Sequence, residues 1–508
     1  MSTNVYPIGH LELGFYFVVS IVHCALGCAL AVRASFSNQP WLKFALKPSD
    51  YVSNYDVDDS DVEWMLFRGA IAKLLVGMIV HSVVYRMVRE IRNERLRSLM
   101  LIIFWLGLNT WLTSSICIIN CLLLCIVVTA LTRLLKTELV AWILCVVFVC
   151  CCSSSWIKYD QSDEQTYYRE YQLYIYLSVK VLNFNIHLRR NPNVQLNFDL
   201  LCSFLEYAFY PPYTSLLIVL FEDYCQQKRS IKPTNIKHVL FYAFRLIFWF
   251  YLIELALHFT RVNVFFSAPY TLANNFHNYE LFSIAYVRGQ FFHTKYVVIF
   301  GIQRLFAHID GMQPPGPAIC ISRISKYSKM WRYFDRGLYD FLKTQLYIPL
   351  IRITPYPQVG RFLAMLVVFG FVLLWHGVNF NFFAWVALSA LELIIERLGY
   401  MFYTSELGTK LRNKIGDANF VRLTAVALLT NVIPGIFGAF FFLDRRELAL
   451  KIFNKVLVEG ILDVLTMNIH YANSGFVLLH LLLLGYCFGH VCSYLHVKLD
   501  TREKTKTN

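Results

Sequence analysis

The chain has 508 residues, of which 57% are hydrophobic and only 16% are charged, and its mean hydropathy is +0.48. Ordinary globular proteins contain about 45–50% apolar and about 25% charged residues. A soluble core of this size cannot bury the excess, so lipid must cover much of the surface. The composition therefore excludes a soluble enzyme, a disordered regulator and a nucleic-acid-binding domain. The net charge of +14 is typical of basic cytosolic loops, and it would also suit an anionic ligand such as coenzyme phosphates.

Apolar segments long enough to cross a bilayer, which takes ~20 residues, recur along the whole chain. The first runs from Leu11 to Val32 and is interpreted as a membrane helix, since it is too long for a cleavable signal. The segment 99–131 is long enough for two helices and a tight turn. The predicted spans are 12–32, 65–86, 99–131, 138–157, 171–186, 238–260, 280–303, 362–376, 378–395, 422–443 and 474–496.

Two further apolar stretches, 198–221 and 337–350, are interrupted by prolines or charges. Non-helical backbone at membrane depth is tolerated only where protein or water lines it, so we expect both to be re-entrant cavity walls. The sequence predicts an all-α, polytopic membrane bundle of about ten to twelve spans. No internal repeat or linker divides it, which favours a single domain over 1–508 with a tail at 497–508.

Loop charges orient this bundle. Arginines and lysines concentrate in 86–97, in 304–336 and after residue 395, and such loops are usually cytosolic. Acidic residues concentrate in the first loop and after residue 157, which fits the opposite face. Both termini are then cytosolic. The last residues, from Lys504 to Asn508, are similar to the dilysine retrieval signals of endoplasmic-reticulum membrane proteins, so we expect that membrane.

The fourteen cysteines do not form a recognisable disulfide or zinc pattern. Several lie inside apolar runs, where a thiol behaves as a small hydrophobe. No paired CxxC motif is present, so the sequence gives no support for zinc.

A histidine, His376, interrupts the apolar run 371–380 within Trp375-His376-Gly377. Ionisable side chains inside a bilayer are costly and mark functional sites by default. A neutral imidazole can accept a proton in an apolar site. A packed histidine that bonds a neighbouring helix is the alternative, and the residues alone leave both open.

About forty residues earlier, Asp335 lies in an aromatic and charged block, 329–342. Its carboxylate could orient an imidazole or bind a substrate amine. It could equally pair with Arg332 or Arg336, which is the commoner fate of such an aspartate.

These motifs form an ordered set. Its members are Lys295-Tyr296, Phe300-Gly301, Asp310-Gly311, Pro314-Pro315, Cys320, the block from Met330 to Asp335, Gly337-Leu338, Phe341-Leu342, Tyr347-Ile348-Pro349 and Trp375-His376-Gly377. The set resembles the membrane-bound O-acyltransferase superfamily, most closely its hedgehog acyltransferase branch. The most specific region is 295–395, and weaker similarity covers most of the chain.

The resemblance implies an acyltransferase with the acyl chain held in a central tunnel. In this branch palmitate moves from palmitoyl-CoA to the N-terminal cysteine amine of a secreted hedgehog-type protein. His376 and Asp335 would be catalytic: the imidazole takes or positions the amine proton, and the carboxylate orients the imidazole or the amine. The donor would enter from the cytosol and the acceptor from the lumen, meeting near His376.

Three further residues carry over from the family. Asn431 would face the catalytic histidine and donate to the thioester oxygen, or else satisfy a neighbouring helix. Trp331 would line the donor tunnel, or else anchor at the membrane interface. Cys320 matches a thiolate that holds the iron of haem b, as a structural group; packing or reversible acylation is its alternative.

Two other functions remain open. A lipid or glycerol O-acyltransferase of the same superfamily would use the same histidine, and only the acceptor would differ. In a transporter or a non-catalytic scaffold, His376 would be a gating or proton-relay residue paired with Asp335. Transporters often contain inverted repeats, and no such symmetry is visible, which disfavours that reading.

Overall fold

The computed structural model describes residues 6–49, 52–154, 163–268, 270–444 and 447–507. Helices make up nearly all of its regular structure. The strands in this part of the chain are β1 (Lys47–Pro48) and β2 (Asp56–Val57), which pair antiparallel in the first loop. The predicted all-α class is confirmed.

The helices of the first half cover the segments up to residue 267. They are α1 (His10–Ser37), α2 (Gln39–Leu42), α3 (Val62–Arg89), α4 (Glu94–Leu112), α5 (Ser115–Leu135), α6 (Glu138–Ser153), α7 (Glu164–Arg190), α8 (Phe198–Phe209), α9 (Pro211–Thr214), α10 (Phe221–Arg229), α11 (Ile236–Phe259) and α12 (Val262–Ser267).

The second half begins with a long helix that leads into the motif region. Its helices are α13 (Asn278–Ile309), α14 (Tyr327–Tyr333), α15 (Arg336–Phe341), α16 (Ile348–Ile353), α17 (Pro357–His376), α18 (Phe380–Thr404), α19 (Glu406–Ile415), α20 (Asp417–Leu443), α21 (Leu448–Ile452), α22 (Glu459–Leu465) and α23 (Ser474–Thr507). Short 3-10 turns lie at Lys43–Ala45, Tyr270–Asn275 and Ile321–Arg323, and π-helical turns at Leu342–Tyr347 and Phe453–Val458.

Seven helices in the described ranges, α1, α3, α5, α11, α17, α20 and α23, are long and apolar enough to cross a membrane. The chain is therefore a multi-pass membrane protein, but the predicted ten to twelve spans are not confirmed. The segment 171–186, for example, is a predicted span that is not among these seven helices. It lies in α7, whose side chains from Leu173 to Ile186 are almost all buried by protein. Lys180 within it donates to the Tyr207 carbonyl at 2.9 Å.

The predicted double helix over 99–131 is present. α4 and α5 are separated by Thr113 and Ser114, and the Ser114 hydroxyl accepts the Cys117 amide at 3.2 Å to cap α5. The span predicted at 138–157 corresponds to α6, although its last residues lie outside the described ranges.

The two interrupted segments are broken helices. The segment 198–221 consists of α8, α9 and a buried extended stretch up to Leu220. The segment 337–350 runs through α15, a π-helical turn and α16. A Cβ on Gly337 would overlap the backbone carbonyl of Ile218, so the first segment supports the second from behind.

A buried polar cluster joins the first of these segments to the rest of the bundle. The Asp310 carboxylate, at the end of α13, accepts from His81 Nε2 at 2.8 Å, from Ser82 Oγ at 3.0 Å and from the Tyr210 hydroxyl at 2.6 Å. Trp105 Nε1 donates to His81 Nδ1 at 3.0 Å, which leaves the proton on Nε2. Four parts of the chain are thereby fixed around the motif region.

Candidate active site

A cavity of about 1910 Å³ runs through the bundle. Its walls come from α1, α13 to α15, the π-helical turn after α15, α17, α18, α20 and α23. Trp331, Asp335, His376 and Asn431 all line it, so the structure brings four of the five candidate residues to one space. The segment 337–350 forms part of the wall. The expectation that 198–221 also does so is wrong, because no described residue of that segment lines the cavity.

His376 is the last residue of α17. Gly377 follows with a φ of +105°, a conformation that disfavours residues with a Cβ, and it turns the chain sharply into α18. Three aromatic rings surround the imidazole, with ring centroids 5.2 Å away for Trp385, 5.3 Å for Phe442 and 5.9 Å for Phe382. The ring thus has an apolar collar and a face toward the cavity, where a substrate can supply its polar partner.

Asp335 precedes α15 and caps it, since its Oδ1 accepts the Leu338 amide at 2.9 Å. The ion pair expected as the alternative does not form with its neighbour, because Arg336 donates to Asp340 at 2.8 Å instead. Asp335 lies outside the seven long apolar helices. Burial raises the pKa of its carboxyl to about 6, against the opposing effect of backbone amides.

Asp335 and His376 do not touch each other, so the expected direct orientation of the imidazole by the carboxylate is not seen. Tyr176 of α7 interacts with Asp335 and with the residue before His376. Its ring is edge-on to Trp375 at 5.6 Å, and its hydroxyl is close enough to interact electrostatically with Asp335. Sequence reasoning missed Tyr176 because 171–186 was predicted as a span without any assignment of its neighbours; the several polar residues of that segment were the available signal.

Trp331 and Trp385 form an indole pair beside His376. Their rings stack at 5.5 Å with an interplanar angle of 21°. Trp331 Nε1 is buried and has no hydrogen-bond partner within the described part of the chain. It is therefore a free donor at the cavity wall, where a substrate oxygen could accept from it.

Asn431 lines the same cavity as His376, on α20. It is only 3% exposed, and its Oδ1 finds no hydrogen-bond partner in the described ranges. However, Phe442 is the α20 residue that contacts His376, and Asn431 precedes it by about three helical turns. The expectation that Asn431 faces the imidazole is not supported by this placement.

Charge in the cavity wall is unbalanced. Asp335 is the sole Asp or Glu among the described lining residues. The Arg and Lys residues of the same wall are Arg332, Lys343, Arg361 and Arg397. Arg332 and Arg397 belong to the basic regions of the sequence, and with Lys343 and Arg361 they give the cavity wall a positive charge suited to phosphate groups.

A buried ionic network stands behind the wall at Tyr296. The Tyr296 hydroxyl donates to Glu63 at 2.9 Å, and Lys295 bridges Glu63 and Asp61 at 2.8 Å each. Arg288 contacts Asp61 at 2.8 Å as well. This network joins the start of α3 to α13 and fixes the Tyr296 ring at the cavity.

Cys320 lies apart from these residues. Its thiol is half-buried just before the 3-10 turn Ile321–Arg323, and it does not line the cavity. The Cys492 thiol of α23 is near enough to Cys320 to interact with it electrostatically. It donates to the Ser322 carbonyl at 3.3 Å.

Comparison with known proteins gives a family and several relatives. The sequence profile of the membrane-bound O-acyltransferase family matches residues 121–433. The chain is 27% identical over 293 residues to the protein-cysteine N-palmitoyltransferase HHAT of Mus musculus, covering 56% of each protein. It is also 27% identical over 309 residues to the protein-cysteine N-palmitoyltransferase Rasp of Drosophila melanogaster, covering 60% of this chain and 59% of that protein.

A second group of relatives is more distant. The membrane-bound O-acyltransferase GUP1 of Saccharomyces cerevisiae is 28% identical over 200 residues, covering 38% of this chain and 34% of that protein. The matches to HHAT and Rasp thus span under two thirds of either protein.

Proposed function

The chain belongs to the membrane-bound O-acyltransferase family, and from this premise we propose that it is a protein-cysteine N-palmitoyltransferase. The acceptor is the N-terminal cysteine amine of a secreted hedgehog-type protein, and the donor is palmitoyl-CoA. One observation carries the proposal. His376 and Asp335 face a single large cavity, in a chain that is similar to two enzymes named for this reaction.

The reaction requires an amine to attack a thioester carbonyl. A C–N bond forms, the C–S bond breaks, and the amine proton passes to the departing sulfur. His376 can take that proton from the amine and return it to the thiolate, because a neutral imidazole accepts a proton and the imidazolium that forms donates it again. Its aromatic collar excludes water from the reacting atoms, which limits hydrolysis of the thioester.

Asp335 receives the acceptor in this proposal. It is the sole anionic side chain of the described cavity wall, so it attracts the ammonium form of a peptide N-terminus. Tyr176 lies between it and the Trp375-His376 turn. A short movement of the amine from the carboxylate to the imidazole would then bring it to the thioester.

The donor occupies the remaining cavity. Arg332, Lys343, Arg361 and Arg397 supply cations for the phosphates of the coenzyme. The buried and unpartnered polar atoms of Trp331 and Asn431 are suited to hydrogen bonding along the thioester and the amide-containing arm of the coenzyme. Aromatic and aliphatic side chains around them accommodate the acyl chain.

We place both termini and the basic loops in the cytosol, and the acidic first loop in the lumen of the endoplasmic reticulum. The charge distribution supports this orientation. The coenzyme then never crosses the membrane. The C-terminal lysines, whose side chains lie outside the described ones, are the basis for the choice of organelle.

The test is acyl transfer from labelled palmitoyl-CoA to a synthetic peptide with the N-terminal sequence of a hedgehog protein. Purified wild type should form a hydroxylamine-resistant amide, and His376→Ala should reduce the rate by at least about 100-fold at unchanged yield of folded protein. A matched control is His10→Ala, an exposed histidine at the start of α1. Transfer that survives His376→Ala contradicts the proposal.

A lipid or glycerol acceptor is the second candidate, because the relatives of the GUP1 group share this family and a comparable identity. The same labelled donor is offered to lysolipids and glycerol in parallel reactions. Ester formation that depends on His376, without peptide amide, would assign this acceptor class. Loss of transfer to every acceptor would favour the scaffold or transporter reading.

We further propose that Cys320 holds haem b as a structural group. Its half-buried thiol lies just before a short turn rather than inside a long helix, and its thiolate would hold the haem iron there. Bound there, the haem would contribute stability and no step of acyl transfer. The purified protein should show a thiolate-type Soret band that Cys320→Ala abolishes and Cys492→Ala preserves. A haem-free wild type of normal stability contradicts the assignment.

A further inference from the structure

Glu392 is a buried carboxyl group without a described partner. It lies in α18, has 0% exposed surface, and neither of its oxygens accepts a hydrogen bond within the described ranges. A buried anion without a cation or donor costs several kcal/mol, so such a residue is retained only where it has a use. Nothing in the proposed reaction employs it.

The carboxyl lies where α14, α18 and α20 meet. A Cβ on Gly435 of α20 would overlap Glu392 Oε1 and would lie 3.3 Å from the Tyr327 ring. The carboxyl and the Tyr327 ring are thus packed against the same glycine. Gly435 and Tyr327 both line the cavity, so Glu392 stands directly behind its wall.

Contacts lead from this junction to the catalytic histidine. The Tyr327 hydroxyl is 3.2 Å from Ser389 Oγ, which shares the face of α18 with Glu392. Tyr327 is edge-on to Trp331 at 6.4 Å, and Trp331 stacks on Trp385. Trp385 in turn contacts the His376 ring.

We propose that Glu392 is a positioning residue for acyl transfer, which wedges Tyr327 and, through the Trp331–Trp385 pair, fixes the His376 imidazole. The inference rests on the proposed function in that His376 is the residue positioned. Glu392 acts here as a neutral acid, because burial and the like charge of the nearby Glu396 carboxylate, which accepts the Ser328 amide at 3.0 Å, both disfavour its ionisation.

The first variants separate shape from charge. Glu392→Ala removes the wedge, and we expect kcat to fall about tenfold or more while KM for palmitoyl-CoA changes less than about twofold, since a displaced imidazole affects the chemical step. Glu392→Gln keeps the shape without the acid and should stay within about threefold of wild type. Leu388→Ala truncates the same α18–α20 interface near Gly438 and should lower thermal stability without lowering kcat.

Gly435→Ala tests the same contact from the other side. Its methyl group would push the carboxyl and Tyr327 away, so kcat should fall as in Glu392→Ala. In the Glu392→Ala background the space is vacant, and the added methyl should have little further effect. A non-additive double-mutant cycle of this kind is the signature of direct coupling.

The outcomes are distinguishable from failure of the proposed function. If wild-type transfer depends on His376 but Glu392→Ala retains full kcat, or if the two substitutions are additive, the positioning role is overturned alone. If Glu392→Gln is as inactive as Glu392→Ala, the role as a neutral wedge is also overturned, because the carboxyl must then ionise or transfer its proton. If wild type transfers no acyl group, the proposed function and this inference fall together.

Discussion

The carboxylate of Asp335 serves two purposes. It caps α15 through the Leu338 amide, and it also faces the cavity where an amine is expected. Because the cap uses one oxygen, the other remains for a substrate. The residue type was readable from the motif, but the cap depends on where the backbone turns after Phe334.

The pH dependence of transfer should report this carboxyl. Burial raises its pKa to about 6, so the anion is present above that pH and is lost as the pH falls through it. Activity with a peptide acceptor should therefore decline below about pH 6. Asp335→Asn retains a side chain that can cap the helix but removes the charge. We expect a lower rate without the acidic limb in the pH–rate profile, and an unchanged limb would contradict this role.

Asn431 offers a choice between two roles that give different kinetics. If it donated to the thioester oxygen beside His376, Asn431→Ala would mainly reduce kcat. Its position about three turns away along α20 instead suggests contact with the coenzyme arm. We therefore expect KM for palmitoyl-CoA to rise about three- to tenfold with kcat within about twofold, measured by initial rates. Asn419→Ala, an exposed residue of the same helix, is the control; a selective loss of kcat would restore the first role.

At the scale of elements, Gly337 shows how a broken helix is held in place. A Cβ there would overlap the Ile218 carbonyl, and backbone cannot yield as a side chain tip does. Gly337→Ala should cost about 1–3 kcal/mol, seen as a lower melting temperature of the detergent-purified protein. Gly370→Ala, in α17 with nothing within 4 Å of the added Cβ, should not lower it, since alanine is the better helix former. An equally stable Gly337→Ala protein would show that the two segments are not in close contact.

The sequence predicted where the helices lie along the chain better than it predicted which parts of the chain pack against them. Continuous apolar runs located α1, α3 and α11 to within a few residues, and the double helix over 99–131 was inferred from length alone. Apolar content does not reveal whether lipid or protein covers a helix, so the burial of α7 by the rest of the bundle was not predicted. Long-range packing likewise decided that 198–221 lies behind the cavity wall.

For the candidate site, too, the residues were predictable from the sequence but their spatial arrangement was not. Trp331, Asp335, His376 and Asn431 were identified from motifs and do share a cavity. Motif order carries no information on distance, so the separation of Asn431 from His376 was not predictable. Tyr176 belongs to no motif and enters the site through the packing of α7 against the Trp375 ring.

At the scale of the whole molecule, the two ends of α3 carry opposite charge. Basic residues lie at its C-terminal end and in α19, which follows α18, whereas the acidic residues around β2 lie at the N-terminal end of α3. A cavity between these ends would let a cytosolic donor and a luminal acceptor meet at His376. This arrangement requires that the loop carrying Asn54 is luminal and that the helix carrying Asn413, α19, is cytosolic.

Single glycosylation acceptors can test that orientation, because the sequence contains no Asn-x-Ser or Asn-x-Thr. Asp56→Ser completes an acceptor at Asn54, and Ile415→Thr completes one at Asn413; both asparagines are exposed. Since glycans are added only in the lumen, translation with microsomes should give an endoglycosidase-sensitive mass shift for the first variant and none for the second. A shift for both or for the second alone would place the acidic and basic loops otherwise, and a donor bound by the four cations of the cavity would then have to come from the lumen.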